Sequence, residues 1–164
     1  MIVREIEYND AAAFWQMQFQ LDKETSYMMY EPNERVRNDD SINNLIKNSI
    51  EGKALLLVAE DDKQIVGFIS AQRGGPNRIK HTAYIVVGIR EAYRGQGIGS
   101  EFFKRLDLWA RAKNITRLEL TVMCTNHIAK KLYEKSGFVI EGVKKNSMLV
   151  DGEFVDEFYM AKLL

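Results

Sequence analysis

The chain has 164 residues, 46% of them hydrophobic and 28% charged, with 23 Lys and Arg balanced by 23 Asp and Glu. These values describe a single globular domain over 1–164 with enough chain to bury a core, and they exclude a disordered tail and a basic nucleic-acid binder. One cysteine, Cys124, excludes an intrachain disulfide, the two histidines His81 and His127 make no metal set, and no stretch is apolar enough to span a membrane.

The opening MIVREIEYND has charges interrupting each short apolar run. It reads as neither a signal peptide nor an anchor, so a cytoplasmic, reducing location is expected. Within it, Ile2 to Tyr8 alternates as a short strand. Asn9 and Asp10 are helix starters before AAAFWQMQFQLDKE, where Phe14, Met17 and Leu21 share a face. TSYMMYEPNERVRNDD, with Pro32 and several turn formers, reads as a loop. A second helix is expected from Asp40 or Ser41 to about Glu51, with Ile42, Leu45, Ile46 and Ile50 as its stripe and Gly52 as its stop.

The pattern then becomes β. Strands are expected at Ala54–Glu60, Gln64–Gln72 and Lys80–Ile89, separated by Asp61-Asp62 and by Gly74-Gly75-Pro76-Asn77. A helix over Glu101–Lys113 points Phe102, Leu106 and Trp109 inward, with Asn114 as a left-handed cap. Arg117–Val122 is a strand and Asn126–Lys135 a short helix ended by Gly137. Two final strands, about Phe138–Val150 and Glu153–Leu163, are joined by the hairpin turn Asp151-Gly152. Hairpins with helices placed around a glycine segment predict an α+β, mixed α/β sheet, not a regular βαβ array.

The informative segment is Arg94-Gly95-Gln96-Gly97-Ile98-Gly99-Ser100, between a strand and a helix. Alternate glycines leave backbone N–H groups open beside the positive end of the helix dipole, the arrangement that captures a pyrophosphate. No Gly-Lys-Ser/Thr is present, so it is not a Walker loop. G-x-G-x-x-G fails at Ser100, and too little chain follows for a second dinucleotide-binding half.

Arg94-x-x-Gly97-x-Gly99, preceded by Tyr93, instead resembles the Q/R-x-x-G-x-G/A loop of the GNAT superfamily of acetyl-CoA-dependent N-acetyltransferases. Asn126, Ala129, Leu132-Tyr133 and Gly137-Phe138 are similar to a second segment of that family. Glu141-Gly142 and Asp151–Met160 resemble the close of its bacterial branch, which includes ribosomal-protein acetyltransferases. The resemblance implies a central, mostly antiparallel, splayed sheet of six or seven strands flanked by about four helices. It implies acetyl-CoA as cosubstrate and no metal. Val87, Gly88 and Ile89 would meet the pantetheine, while Arg94, Gly95, Gln96, Gly97, Ile98, Gly99 and Ser100 would hold the pyrophosphate. Asn126 and Tyr133, seven apart and so on one helix face, would stand near the thioester, with Tyr133 protonating the leaving thiolate.

Where many relatives carry a base Glu, this chain has Ala83. His81, two residues earlier on the same strand face, is the expected base; Glu24, Glu31 and Asp156 are the acidic alternatives. The acids and aromatics of Glu24–Glu31 would suit a cationic amine, and the resemblance places this region at the acceptor. The expected function is acetyl transfer to a primary amine of a small molecule or peptide by direct attack, with no nucleic-acid or membrane partner and with homodimerisation open. The alternative is a non-catalytic acyl-CoA sensor on the same fold.

Overall fold

A computed structural model describes all residues from Met1 to Leu164. Its sheet strands are β1 (Ile2–Glu5), β2 (Ala54–Asp61), β3 (Gln64–Arg73), β4 (Thr82–Ile89), β5 (Arg117–Met123), β6 (Val139–Val150) and β7 (Glu153–Leu163). The helices are α1 (Ala11–Glu24), α2 (Asp39–Ile50), α3 (Ile98–Ala112) and α4 (His127–Lys135). Strand order is β1-β2-β3-β4-β5-β7-β6. Every neighbouring pair is antiparallel except β4–β5, which is parallel. The expected mixed, mostly antiparallel sheet with four helices is thus present.

Each face of the sheet buries its own core. Leu55, Leu57, Ile85, Leu118, Leu120 and Val122 pack against Phe102, Phe103 and Leu106 of α3 and Tyr133 of α4. Leu56, Val58, Ile65 and Phe68 on the other face meet Phe14, Met17 and Leu21 of α1 and Ile42 and Ile46 of α2. Strand alternation sends neighbouring residues to opposite cores. The α2 stripe is only half buried: Leu45 and Ile50 remain exposed.

Local chemistry accounts for the boundaries. Asn38 caps α2 by accepting from the Ser41 N–H at 2.9 Å. Asn114 takes φ +55 after α3, and Asp151 and Gly152 take φ +50 and +81, the pairing of positive angles a two-residue hairpin requires. The glycine segment corrects one expectation. Helix α3 begins at Ile98, three residues earlier than the sequence suggested, with left-handed Gly97 (φ +85) as its cap. Ile98, Gly99 and Ser100 therefore form its first turn and are not part of a loop.

Candidate active site

The parallel pairing of β4 with β5 lasts only from Thr82 to Tyr84, against Arg117 to Glu119. Beyond it the strands part, although β4 stays paired to β3 as far as Ile89 and β5 to β7 as far as Met123. Beyond Tyr84 the edge of β4 therefore faces an open V, where Val87 has no β5 partner and the Ile89 carbonyl is met only by a side chain. Buried backbone polar groups require partners, so such an edge suits an extended ligand bearing amides.

At the wide end of the V lies the glycine segment. None of the backbone N–H groups from Gly95 through Ser100 donates to a protein backbone acceptor; the first bond of the turn is Glu101 N–H to Gly97 C=O. These free donors sit at the positive end of α3, as an anion site needs. Two side chains shape the segment: Arg94 Nε donates to the Ile89 carbonyl at 3.0 Å, and Gln96 Nε2 donates to the Ala92 carbonyl at 3.1 Å. Gly97 has open space where a side chain would project. Gly99 is small for another reason, since a methyl there would stand 2.7 Å from Leu132 Cδ2 of α4. Gly88 likewise makes room for Leu21 of α1 and for Phe68. An open strand edge beside free N–H groups at a helix start is an arrangement that could hold an elongated ligand bearing amides and a pyrophosphate.

Tyr133 is buried against Phe103 and Phe138 on the α3–α4 side of the V. Burial, with the Tyr84 hydroxyl nearby, pushes its hydroxyl well above the ordinary phenol range. Burial thus favours its neutral, proton-bearing form. The same desolvation would raise the basicity of a thiolate beside it. Asn126 caps α4, its Oδ1 accepting from the Ala129 N–H at 3.2 Å, which fixes the first turn of the helix that carries Tyr133.

His81 is not brought to this place. It lies exposed before β4, at the closed end of the V, where its carbonyl accepts from the N–H groups of Thr116 and Arg117. Six residues separate it from Val87, roughly 20 Å of strand. Strand parity gave it the right face but could not say which end of the strand opens. Ala83 is wholly buried in the α3-side core. Asp156 is engaged by Lys145 and the Asn146 N–H. Burial, with Asp156 nearby, pushes the Cys124 thiol upward, which disfavours its thiolate.

The loop after α1 crosses the mouth of the V. Glu24 accepts from Arg90 and from the Glu91 N–H on the β4 side. Tyr27 Oη donates to the Thr125 carbonyl, at 3.4 Å, on the β5 side. Between this loop and the β6–β7 tip is a groove of about 480 Å³, lined by Met28, Met29, Met148 and Leu149 with the carboxylates of Glu31 and Asp151. Asp22, at its floor, is the one buried charged residue of the chain, and Arg35 holds it in a bidentate pair at 2.6 and 3.1 Å. Sequence reading did not pair Asp22 with Arg35, nor Tyr84 of β4 with Thr121 of β5, whose hydroxyls lie 2.9 Å apart.

Known proteins resemble the chain in sequence and in fold. A model of the Acetyltransferase (GNAT) family matches residues 13–138. The L-amino acid N-acetyltransferase AaaT of Escherichia coli (strain K12) is 35% identical over 111 residues, 65% of this chain and 67% of that protein. A putative [ribosomal protein bS18]-alanine N-acetyltransferase of Bacillus subtilis (strain 168) is 36% identical over 67 residues, 41% of this chain and 44% of that protein. The crystal structure of a GNAT-family acetyltransferase from Streptococcus pneumoniae superposes with a TM-score of 0.94 at 27% identity, covering 99% of each chain.

Proposed function

Because the chain belongs to the GNAT family of acetyltransferases, we propose that it carries the acetyl group of acetyl-CoA to an α-amine, that of an L-amino acid or of a peptide's first residue. Membership sets the reaction class, N-acetyl transfer from acetyl-CoA. The α-amine is favoured by two relatives, one named for L-amino acids and one for a protein alanine. The observation that carries the site assignment is the V between β4 and β5, opening directly onto the unbonded N–H groups of Gly95–Ser100.

In this reading the N–H groups of Gly95, Gln96, Gly97, Ile98, Gly99 and Ser100 hold the pyrophosphate, with Arg94 bracing the segment from beneath. The free edge at Val87, Gly88 and Ile89 takes the pantetheine amides, and one of its N–H groups polarises the thioester carbonyl. Tyr133 gives its proton to the departing thiolate. Asn126 acts through α4, as its cap. Glu31 and Asp151, neither of them paired within the protein, draw a cationic amine into the methionine-lined groove. His81 stands too far along the strand to take the amine's proton. No observation favours the non-catalytic sensor.

The test is direct. Acetyl-CoA titrated calorimetrically should bind at one site, and a ligand at a hundred times its Kd should raise stability by about 2.7 kcal/mol. Free CoA should then appear with some of the standard L-amino acids or with an alanine-led tripeptide. Turnover of a polyamine alone would overturn the α-amine, and absence of acetyl-CoA binding would overturn the site.

A further inference from the structure

The narrow end of the V carries a feature that the assignments above do not use. Tyr84 is the last β4 residue paired to β5, opposite Glu119. Its Oη lies 2.9 Å from Thr121 Oγ1, two residues further along β5, so a hydroxyl–hydroxyl hydrogen bond spans the strands where they begin to part. Strand alternation places this pair. Leu120 and Val122, which flank Thr121, and Ala83 and Ile85, which flank Tyr84, all point into the core shared with Tyr133. Tyr84 and Thr121 therefore point to the opposite face. That is the face on which Gly88 meets Leu21 of α1. Helices α1 and α2 pack chiefly on β2 and β3, and Tyr84 keeps 43% of its surface exposed. The V is thus bracketed by Tyr133 from below and by two hydroxyls from above.

A thioester lying in the V presents one face of its carbonyl to each side. Its sulfur can meet Tyr133 on one side while an amine approaches the carbon from the other. Two hydroxyls have two protons and four lone pairs, and the mutual bond uses one of each. The remainder can accept amine N–H groups and pass a proton on.

We propose that the Tyr84–Thr121 hydroxyl pair is the station of the acceptor amine, holding its nitrogen by N–H···O bonds and relaying its proton to water. This rests on the transferase reading above. In the step, the neutral amine's nitrogen bonds to the thioester carbon and the C–S bond breaks. The thiolate takes the Tyr133 proton. The proton shed by nitrogen passes to one hydroxyl while that hydroxyl, or its partner, releases its own to water, and Tyr133 recovers a proton from solvent. Amine and acetyl-CoA become amide and CoA thiol. The arrangement does without the carboxylate that Ala83 replaces, and its pH dependence belongs to the amine.

The test uses Tyr84→Phe, Thr121→Val and the double variant, each nearly isosteric, with the L-amino acid that the parent turns over best. Each single change should lower kcat/KM for the amine by about 10- to 100-fold, the loss of one or two hydrogen bonds to the reacting group. The double variant should be little worse than either. Calorimetric affinity for acetyl-CoA should stay at the parent value, which also shows the variants to be folded. In the parent, kcat/KM should rise with pH to the amine's own pKa with no lower inflection. Parent-like kcat/KM in both single variants, with acetyl-CoA binding intact, would overturn the station alone. An inflection between pH 4 and 7 would overturn the relay in favour of a carboxylate or imidazole. Failure of the parent itself to bind acetyl-CoA would overturn the transferase site, a distinct result.

Discussion

The carboxylate of Glu24, the last residue of α1, accepts a 2.8 Å hydrogen bond from the backbone N–H of Glu91, just beyond the end of β4. Arg90 closes the same carboxylate from the side. One acid thus ties the loop over the methionine-lined groove to the strand end that leads into the glycine segment. Burial alone would raise the Glu24 carboxyl, but hydrogen bonds from the Glu91 N–H, Gln20 and Arg90 outweigh it and hold the group below its ordinary value. A depressed folded value means that this stabilisation is complete above the unfolded carboxyl's pKa of ~4.3 and is lost as pH falls through the lower folded value. Glu24→Ala should cost about 2 kcal/mol, or roughly 4–8 °C in Tm near neutral pH, and should weaken acetyl-CoA binding. The Tm gap between parent and variant should shrink on acidification below the carboxylate range. A gap that persists unchanged would place the stabilisation elsewhere.

Gly97 and Gly99 separate two roles that look alike in sequence. Gly97 is left-handed with open space around it, so Gly97→Val meets strain of about 1–2 kcal/mol and projects into the ligand's path. Gly99→Val instead strikes Leu132. Calorimetry should show Gly97→Val folded and defective in acetyl-CoA binding, whereas Gly99→Val should lose stability first. Equal affinity in folded Gly97→Val would remove the anion role from this segment.

Much of this arrangement is legible in the sequence where one short-range signal acts alone. Asn114 after α3 and Asp151-Gly152 in the last hairpin each set a boundary through their own backbone chemistry, whereas Asp10, expected as a starter of α1, makes no cap bond to it and accepts instead from the Glu7 N–H and Arg4. The start of α3 was not legible, because alternate glycines read as loop whether or not the third one enters a helix. Phe103, which the expected inward stripe of α3 left out, is buried against Tyr133 of α4, so a neighbouring helix widened the buried face. Asp22 reads as a solvated helix acid, since nothing in the spacing announces that a loop arginine thirteen residues on will cover it. Tyr84 and Thr121 meet only because β4 and β5 are parallel neighbours with a helix between them in sequence.

Tyr133→Phe keeps the ring that packs on Phe103 and Phe138 and removes only the proton. Its kcat should fall by roughly 10- to 1000-fold with acetyl-CoA affinity unchanged. A variant as fast as the parent, under conditions where chemistry limits turnover, would assign the tyrosine to packing.

His81→Ala should leave the pH–rate profile superimposable on that of the parent. The imidazole stands at the closed end of the V, exposed and roughly 20 Å of strand from Val87, too far for direct transfer or a single bridging water. Loss of an inflection near the histidine pKa of ~6.5 in the variant would return the base to His81.

The final prediction concerns the floor of the methionine-lined groove. Asp22 has no exposed side-chain surface, and its whole compensation within the fold is the bidentate guanidinium of Arg35, which also stacks over the Tyr30 ring at 4.5 Å. Removing the arginine strands a buried carboxylate, which costs far more than the net worth of the pair. Arg35→Ala should therefore lose about 3–5 kcal/mol, roughly 6–20 °C in Tm. Adding Asp22→Asn to Arg35→Ala should recover part of that loss, because a neutral amide is cheaper to bury than a charge. The two effects separate stability from function. The rescued double variant still lacks the guanidinium that pins the loop and stacks on Tyr30, so its KM for the amine should stay raised while its affinity for acetyl-CoA returns to the parent value. An Arg35→Ala protein that melts with the parent would mean that water enters to solvate Asp22 and that the loop is held by Glu24 and Tyr27 alone.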